Sequence, residues 1–308
     1  MSSELGRWWA PLGLAIAATV LSVVNSGLLL ILPLALLLVA LPPRRPVWVA
    51  LGVLLLTLTL VRPNGDMLWW LGRGWALILG AWFVGVVAVR PTGGFVNRGL
   101  AAVSGALASA AVFFLLNRAG WREIDASVGL ELRTAADSVA AVFAPRIEDP
   151  AASTQAVATV HRLANVQASV YPALLALASL AALAVAWWLW RRLVTREPRP
   201  LRSLREFRFR DELVWLMVVG VALIVLPMDA LSTRVGANLA TFVGALCALR
   251  GLGVILALYV SPSPLGAVLT LVLGILLFPL VAPAILVYGL GDTWLDLRAR
   301  LRSPHSSE

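Results

Sequence analysis

Val170–Leu193 reads VYPALLALASLAALAVAWWLWRRL. From Tyr171 to Trp190 no residue carries a charge, and as an α-helix that stretch rises about 30 Å, the thickness of a bilayer's hydrocarbon core. Three tryptophans and two arginines close it, the residue types that settle at a membrane interface. Apolar residues run on without the alternation a transmembrane barrel strand needs, so the stretch specifies a membrane helix.

The rest of the chain repeats the pattern. Of 308 residues, 60% are hydrophobic and 13% charged, with a mean hydropathy of +0.88, too apolar for a water-soluble globule. Apolar segments fall at 9–24, 27–41, 47–61, 67–89, 99–116, 171–190, 213–226, 241–260 and 265–290. They predict an all-α, polytopic transmembrane bundle of about 8–10 membrane segments. Several early segments are short enough to require bilayer thinning, snorkelling or burial among neighbours. The pair divided by Asn25–Gly27 reads equally as one broken hairpin. The N-terminal segment, lacking a clear small-residue cleavage site, reads as an uncleaved first membrane helix rather than a signal peptide.

The net charge of +9 comes from arginine, since the chain has no lysine, and eight of the 25 arginines fall between Arg191 and Arg210. Basic residues directly after an apolar span follow the positive-inside rule and contact anionic lipid. No aromatic-basic fold signature accompanies them, so nucleic acid is not an expected partner. With Met1 in the cytoplasm, 42–46, 90–98 and the 191–210 cluster lie inside, and 62–66 and 117–170 outside. The count then strands Arg298, Arg300 and Arg302 outside. An even number of passes and a cytoplasmic C-terminus restore the rule if one late segment does not cross, or if one splits, at Arg250-Gly251 or at Pro279 with Pro283.

Four regions follow: membrane helices over 1–116, an extracytoplasmic helical insertion at 117–170, membrane helices over 171–290 with an arginine-rich connector at 191–212, and an interfacial helix and tail at 291–308. In the insertion, Ile124, Val128, Leu132, Ala135, Val139 and Val142 form an amphipathic stripe. "PRIEDP" (145–150) ends that helix, and a second begins near Ser153, carrying Val157, Val160 and Ala164. This hairpin reads either as a cover on the membrane surface or as a lid over an outward cavity.

Catalytic motifs are scarce. A chain without lysine has no Walker site, and neither HExxH nor G-x-S-x-G occurs. Cys247 is the sole cysteine, and His161 and His305 stand apart, leaving no metal-ligand set. No enzyme, cofactor or metal centre is expected.

Arg250 is the most informative single residue. In a continuous span its guanidinium sits near mid-bilayer at a cost of at least ~2.5 kcal/mol, and such a charge is aimed into a bundle or cavity. There it would hold an anionic group or pair with Asp229. The other reading makes Arg250-Gly251 a helix break at an interface. Asn238 is a helix start or a cavity-lining group, and Gly13 with Ala17 form a small-residue face. Thirteen tryptophans mostly mark an interfacial belt, with Trp75 and Trp82 deeper. In "GLGDTWLDLRARLR" (289–302), Thr293 and Asp296 have capping-box spacing, with Asp292 as an alternative cap. Asp296 and Arg300 stand four apart, and Trp294 joins an interfacial face. This stretch reads as the start of an anchored helix or as a partner contact.

From Tyr171 to Leu301 the order and spacing of "VYPALLALASLAALAVAWWLWRRL", "LRSLREFRFRDELVWLMVVG", "ANLATFVGALCALRGLGVILALYV" and "GLGDTWLDLRARL" resemble the uncharacterised YybS-like family of bacterial membrane proteins. The resemblance implies a multi-pass protein of the bacterial inner membrane. It implies that Pro172 opens a membrane helix and that the connector is cytoplasmic, with Phe207, Arg208, Phe209 and Asp211 preceding the next span. The family's core is similar to substrate-binding subunits of vitamin transporters and to a membrane component of the cell-shape machinery. The first functional expectation is thus a small-molecule binding or transport subunit working in the bilayer with a membrane-protein or ATPase partner. The second is a structural or scaffold protein in envelope growth or division.

Overall fold

A computed structural model of the chain describes residues 9–21, 26–61, 67–197, 201, 204–226, 229–258 and 278–295. Among these, regular structure is entirely helical. Ten α-helices follow in order: α1 (Trp9–Leu21), α2 (Ser26–Ala40), α3 (Pro46–Leu60), α4 (Met67–Val89), α5 (Phe95–Leu116), α6 (Arg118–Phe143), α7 (Pro150–Val194), α8 (Val214–Val225), α9 (Ala230–Leu258) and α10 (Phe278–Leu295). Four are long and apolar enough to cross a membrane: α4, α5, α7 and the Ala230–Leu256 part of α9. The short apolar segments form the shorter helices α1, α2 and α3, none of which alone reaches the ~20 residues of a full span. The Asn25 notch falls outside the described residues.

The chain divides into two compact units, Met1–Pro200 and Leu201–Glu308, the division in sequence falling within the arginine-rich connector. In the first, α2 is the central helix. Leu29, Leu32, Ala35 and Leu37 are fully buried, and α3, α4 and α7 pack around them. A helix apolar all round is a buried helix, and "LLLILPLALLLVA" is one. Helix α7 is 45 residues long, roughly 67 Å at the α-helical rise. Its half beyond Tyr171 is buried against α1, α2 and α5. Pro172 lies inside α7 rather than opening it. A real helix start stands earlier, where the Asp149 carboxylate accepts from the Ala151 N–H at 2.9 Å and Pro150 takes the first helical position. Deep in this unit the indole N–H of Trp75 donates to the Ser179 hydroxyl at 2.8 Å, tying α4 to α7.

Helices α6 and α7 pack as a hairpin whose contact line differs from the expected stripe. Ile124 and Val128 are buried, and the line continues through Ala136 and Ala140, whereas Ala135 is exposed and Val139 and Val142 are 52% and 61% exposed. A ridge of i, i+4 steps is inclined to the helix axis, and alanines at its far end let α6 and α7 approach closely. The expected stripe followed the axis and drifted off this ridge. On α7, Ala164 is buried, and Ser153 donates to the Ala144 carbonyl at 3.2 Å to close the turn. At the root of the hairpin, Trp121 stacks on Tyr171 at 5.9 Å, and Leu68, Leu71 and Phe114 complete a cluster with Ile124. The start of α4 and the end of α5 therefore lie at the hairpin end of the unit.

The second unit contains a short 3-10 turn at Leu204–Glu206, another at Asp211–Leu213, and then α8, α9 and α10. Helix α9 packs on both α8 and α10. It begins at Ala230, eleven residues before the apolar run, because its polar residues bond to their own helix. Asp229 caps it through Ser232, and the Asn238 amide donates to the Arg234 carbonyl at 2.9 Å.

Candidate functional site

Helix α9 passes through Arg250 and Gly251 without a break, which removes the interfacial-break reading of this pair. The stretch around Asp292 is likewise helical. Thr293 lies inside α10, its hydroxyl donating to the Gly289 carbonyl at 3.2 Å, so the expected capping box gives way to a continuing helix. Helix propagation costs little once a partner covers the backbone, and α9 supplies that cover.

The two helices touch backbone to backbone. A Cβ on Gly251 would collide with the Ile285 carbonyl oxygen and stand 2.8 Å from the Gly289 nitrogen. A Cβ on Gly289 would collide with the Cys247 carbonyl and stand 3.0 Å from the Gly251 nitrogen. Only glycine fits at either place. Cys247 and Gly251 are four apart, as are Gly289 and Thr293, so each helix presents two small residues at the spacing that brings membrane helices together.

This crossing sets Arg250 beside Asp292. The guanidinium Nε donates to Asp292 Oδ2 at 2.9 Å, and Nη2 donates to the Asp292 backbone carbonyl at 2.9 Å. Nη1 donates to Asp211 Oδ1 at 2.6 Å. The ring of Phe209 lies 5.5 Å from the guanidinium carbon. Arg250 is 3% exposed and Asp292 0%, while Asp211 is 60% exposed. A buried guanidinium costs several kcal/mol in lost hydration, offset only when its donors meet charged or carbonyl acceptors in good geometry. All three nitrogens of Arg250 do so. Three segments distant in sequence, the end of the connector, α9 and α10, are thus joined through one side chain.

The remaining expected site residues fall elsewhere. Asp229 does not pair with Arg250: it lies at the opposite end of α9, some 30 Å away at the helical rise. There the Ser232 hydroxyl, and then the Ser232 N–H, hold the Asp229 carboxyl below its ordinary pKa. Asn238 is half-buried within α9, three turns from Arg250. Trp294 is exposed on α10, and Arg208 is exposed in the connector. Asp296 and Arg300 lie outside the described residues. Among the described residues no group of His, Cys, Asp and Glu is arranged to hold a metal ion. Sequence reasoning singled out Arg250, Asp292 and Asp211 separately, without placing them together. The signal that could have joined them was the small-residue spacing on α9 and α10.

Compared with known proteins, the chain matches no family model, no curated protein and no solved structure.

Proposed function

We propose that this membrane protein acts as a non-catalytic structural or scaffold subunit, in which Arg250 latches the connector to the α9–α10 pair. The observation that carries this reading is that each of the three guanidinium nitrogens of Arg250 donates to Asp292 or Asp211. An arginine whose charge is met by two carboxylates of its own chain fixes helices in register. The arginine-rich connector, anchored at Asp211, is then presented as a contact surface for an acidic partner protein or the envelope-growth machinery. The YybS-like resemblance over Tyr171–Leu301 supports the same placement in a bacterial inner membrane, with the connector cytoplasmic.

One feature favours a second reading, a small-molecule binding or transport subunit. Asp211 is the exposed arm of the cluster, and an anionic substrate could displace it from Nη1. Purification from native membrane under mild detergent separates the two. A stable membrane-protein partner, lost on Asp211→Asn with no bound metabolite, supports the scaffold. An ATPase partner together with a bound anion would overturn it in favour of transport.

A further inference from the structure

Helix α4 ends at Val89, the turn "RPTGG" occupies 90–94, and α5 starts at Phe95. Gly94, in the N-cap position, supplies no side-chain oxygen, so the first N–H groups of a 22-residue helix lack a side-chain cap. Gly93, at φ +148, bends the turn back over Arg98, whose Nε stands 3.9 Å from where a Cβ on Gly93 would lie.

Arg98 is 7% exposed, and its buried Nε has no partner. One terminal nitrogen donates to the Pro91 carbonyl, and no carboxylate pairs with it among the described residues. Arg191 shares its surroundings: the two guanidinium carbons lie 5.4 and 5.3 Å from the Trp187 ring centroid. Glu197 pairs with Arg191, leaving Arg98 uncompensated, with Arg90 exposed at the start of the turn. A nine-tenths-buried cation with an empty donor beside an uncapped helix N-terminus is the arrangement that receives an anion.

A groove of about 580 Å³ begins at the same turn, lined by Trp82, Gly85, Val86 and Val89 of α4, by Arg90 of the turn and by Ala101 of α5. From Trp82 to Arg90 it spans about 12 Å along the helix, close to the ~15 Å hydrocarbon depth of one leaflet. Trp82 closes the deep end, its N–H engaged by Ser109 at 2.9 Å. The groove is apolar, lies on helices long enough to cross a membrane, and ends at a positive charge.

We infer that this turn and groove form a binding site for an anionic phospholipid, with its phosphate received by Arg98, Arg90 and the start of α5, and one acyl chain laid along α4 to Trp82. A zwitterionic lipid offers the same chain and phosphate, but its amine meets the uncompensated arginines, so the site selects net negative charge.

The test uses the full-length protein in detergent micelles containing phosphatidylglycerol or phosphatidylcholine with brominated chains. The fluorescence of Trp82 is taken as the difference between wild type and Trp82→Phe. Half-quenching is expected at roughly fivefold lower mole fraction of brominated phosphatidylglycerol, the worth of about one arginine–anionic-lipid contact. Arg98→Gln abolishes the difference between lipids, and Arg90→Gln reads the same arm should that variant fail to fold. Gly85→Leu, placed where a Cβ meets nothing within 4 Å, blocks quenching by both lipids with the fold intact. Equal half-quenching by the two lipids overturns the proposal, as does quenching unchanged by Gly85→Leu. So does competition by inorganic phosphate at equal concentration, which would mark an anion site without a lipid.

Discussion

Arg250 on α9 and Asp292 on α10 are joined by two hydrogen bonds of 2.9 Å across 42 residues of sequence, beneath a crossing where Gly251 and Gly289 bring the two backbones into contact. The glycines permit the approach, and the ion pair fixes its register. Neither works without the other, because a wider crossing would leave a buried guanidinium without its partner.

Asp292→Ala should therefore cost about 3–5 kcal/mol, since it strands a buried arginine. The double change Arg250→Met with Asp292→Leu removes both charges and should recover most of that loss. Thermal unfolding in detergent, followed by helical circular dichroism, measures both. A double variant as unstable as the single one would show that the pair stabilises the unit beyond mutual compensation.

The crossing itself can be probed by one methyl group. Gly251→Ala and Gly289→Ala each drive a Cβ into a carbonyl oxygen of the facing helix, so α9 and α10 must separate, with a loss of ~3 kcal/mol or more as overpacking and ion-pair loss combine. Gly244→Ala lies on the same helix with nothing within 4 Å of the new methyl. It should instead gain up to ~1 kcal/mol from helix propensity. The opposite signs of the two shifts in unfolding midpoint are the measurement.

Much of this architecture was legible in the sequence. The uncharged run after Tyr171 specified a membrane helix, and the 3.6-residue periodicity placed Ile124 and Val128 on the buried face of the hairpin. Asn238 was misleading as a helix start because its amide donates to the Arg234 carbonyl of its own helix, and α9 begins eight residues earlier at Ala230. The partner of Arg250 was hidden for a different reason. Pairing across 42 residues is a tertiary event, and Asp292 had a competing local explanation as a helix cap. The small-residue spacing at Cys247–Gly251 and Gly289–Thr293 carried the information, but such spacing is common in apolar helices and gains meaning only when a charge on each helix stands one turn from it.

The cap of α9 makes a pH-dependent contribution. Bonds from the Ser232 hydroxyl and N–H lower the folded pKa of Asp229 relative to its unfolded value of 3.8. A depressed carboxyl stabilises the folded state above the unfolded pKa, and that contribution is lost as pH falls through the lower folded value. Asparagine caps without a charge, so Asp229→Asn should flatten the acid limb of stability below about pH 4 while leaving neutral stability nearly unchanged. Unfolding midpoints of the two proteins between pH 7 and pH 3 check this, and parallel curves would exclude the cap as their cause.

The Trp75–Ser179 bond offers a neutral counterpart to the arginine latch, and its energetics should differ in kind. Both groups are buried in the first unit, and the bond of 2.8 Å joins α4 to α7. Ser179→Ala leaves a buried indole N–H unsatisfied, at a cost of about 1–3 kcal/mol. Trp75→Phe leaves the serine hydroxyl, which can turn back to a carbonyl of its own helix, so the lost bond itself costs less, although the smaller ring adds a packing loss. The double variant should lose less than the sum of the two single losses, with a coupling of about 0.5–1.5 kcal/mol. A double-mutant cycle on unfolding midpoints measures that coupling, and strict additivity would show that α4 and α7 are held by apolar packing alone.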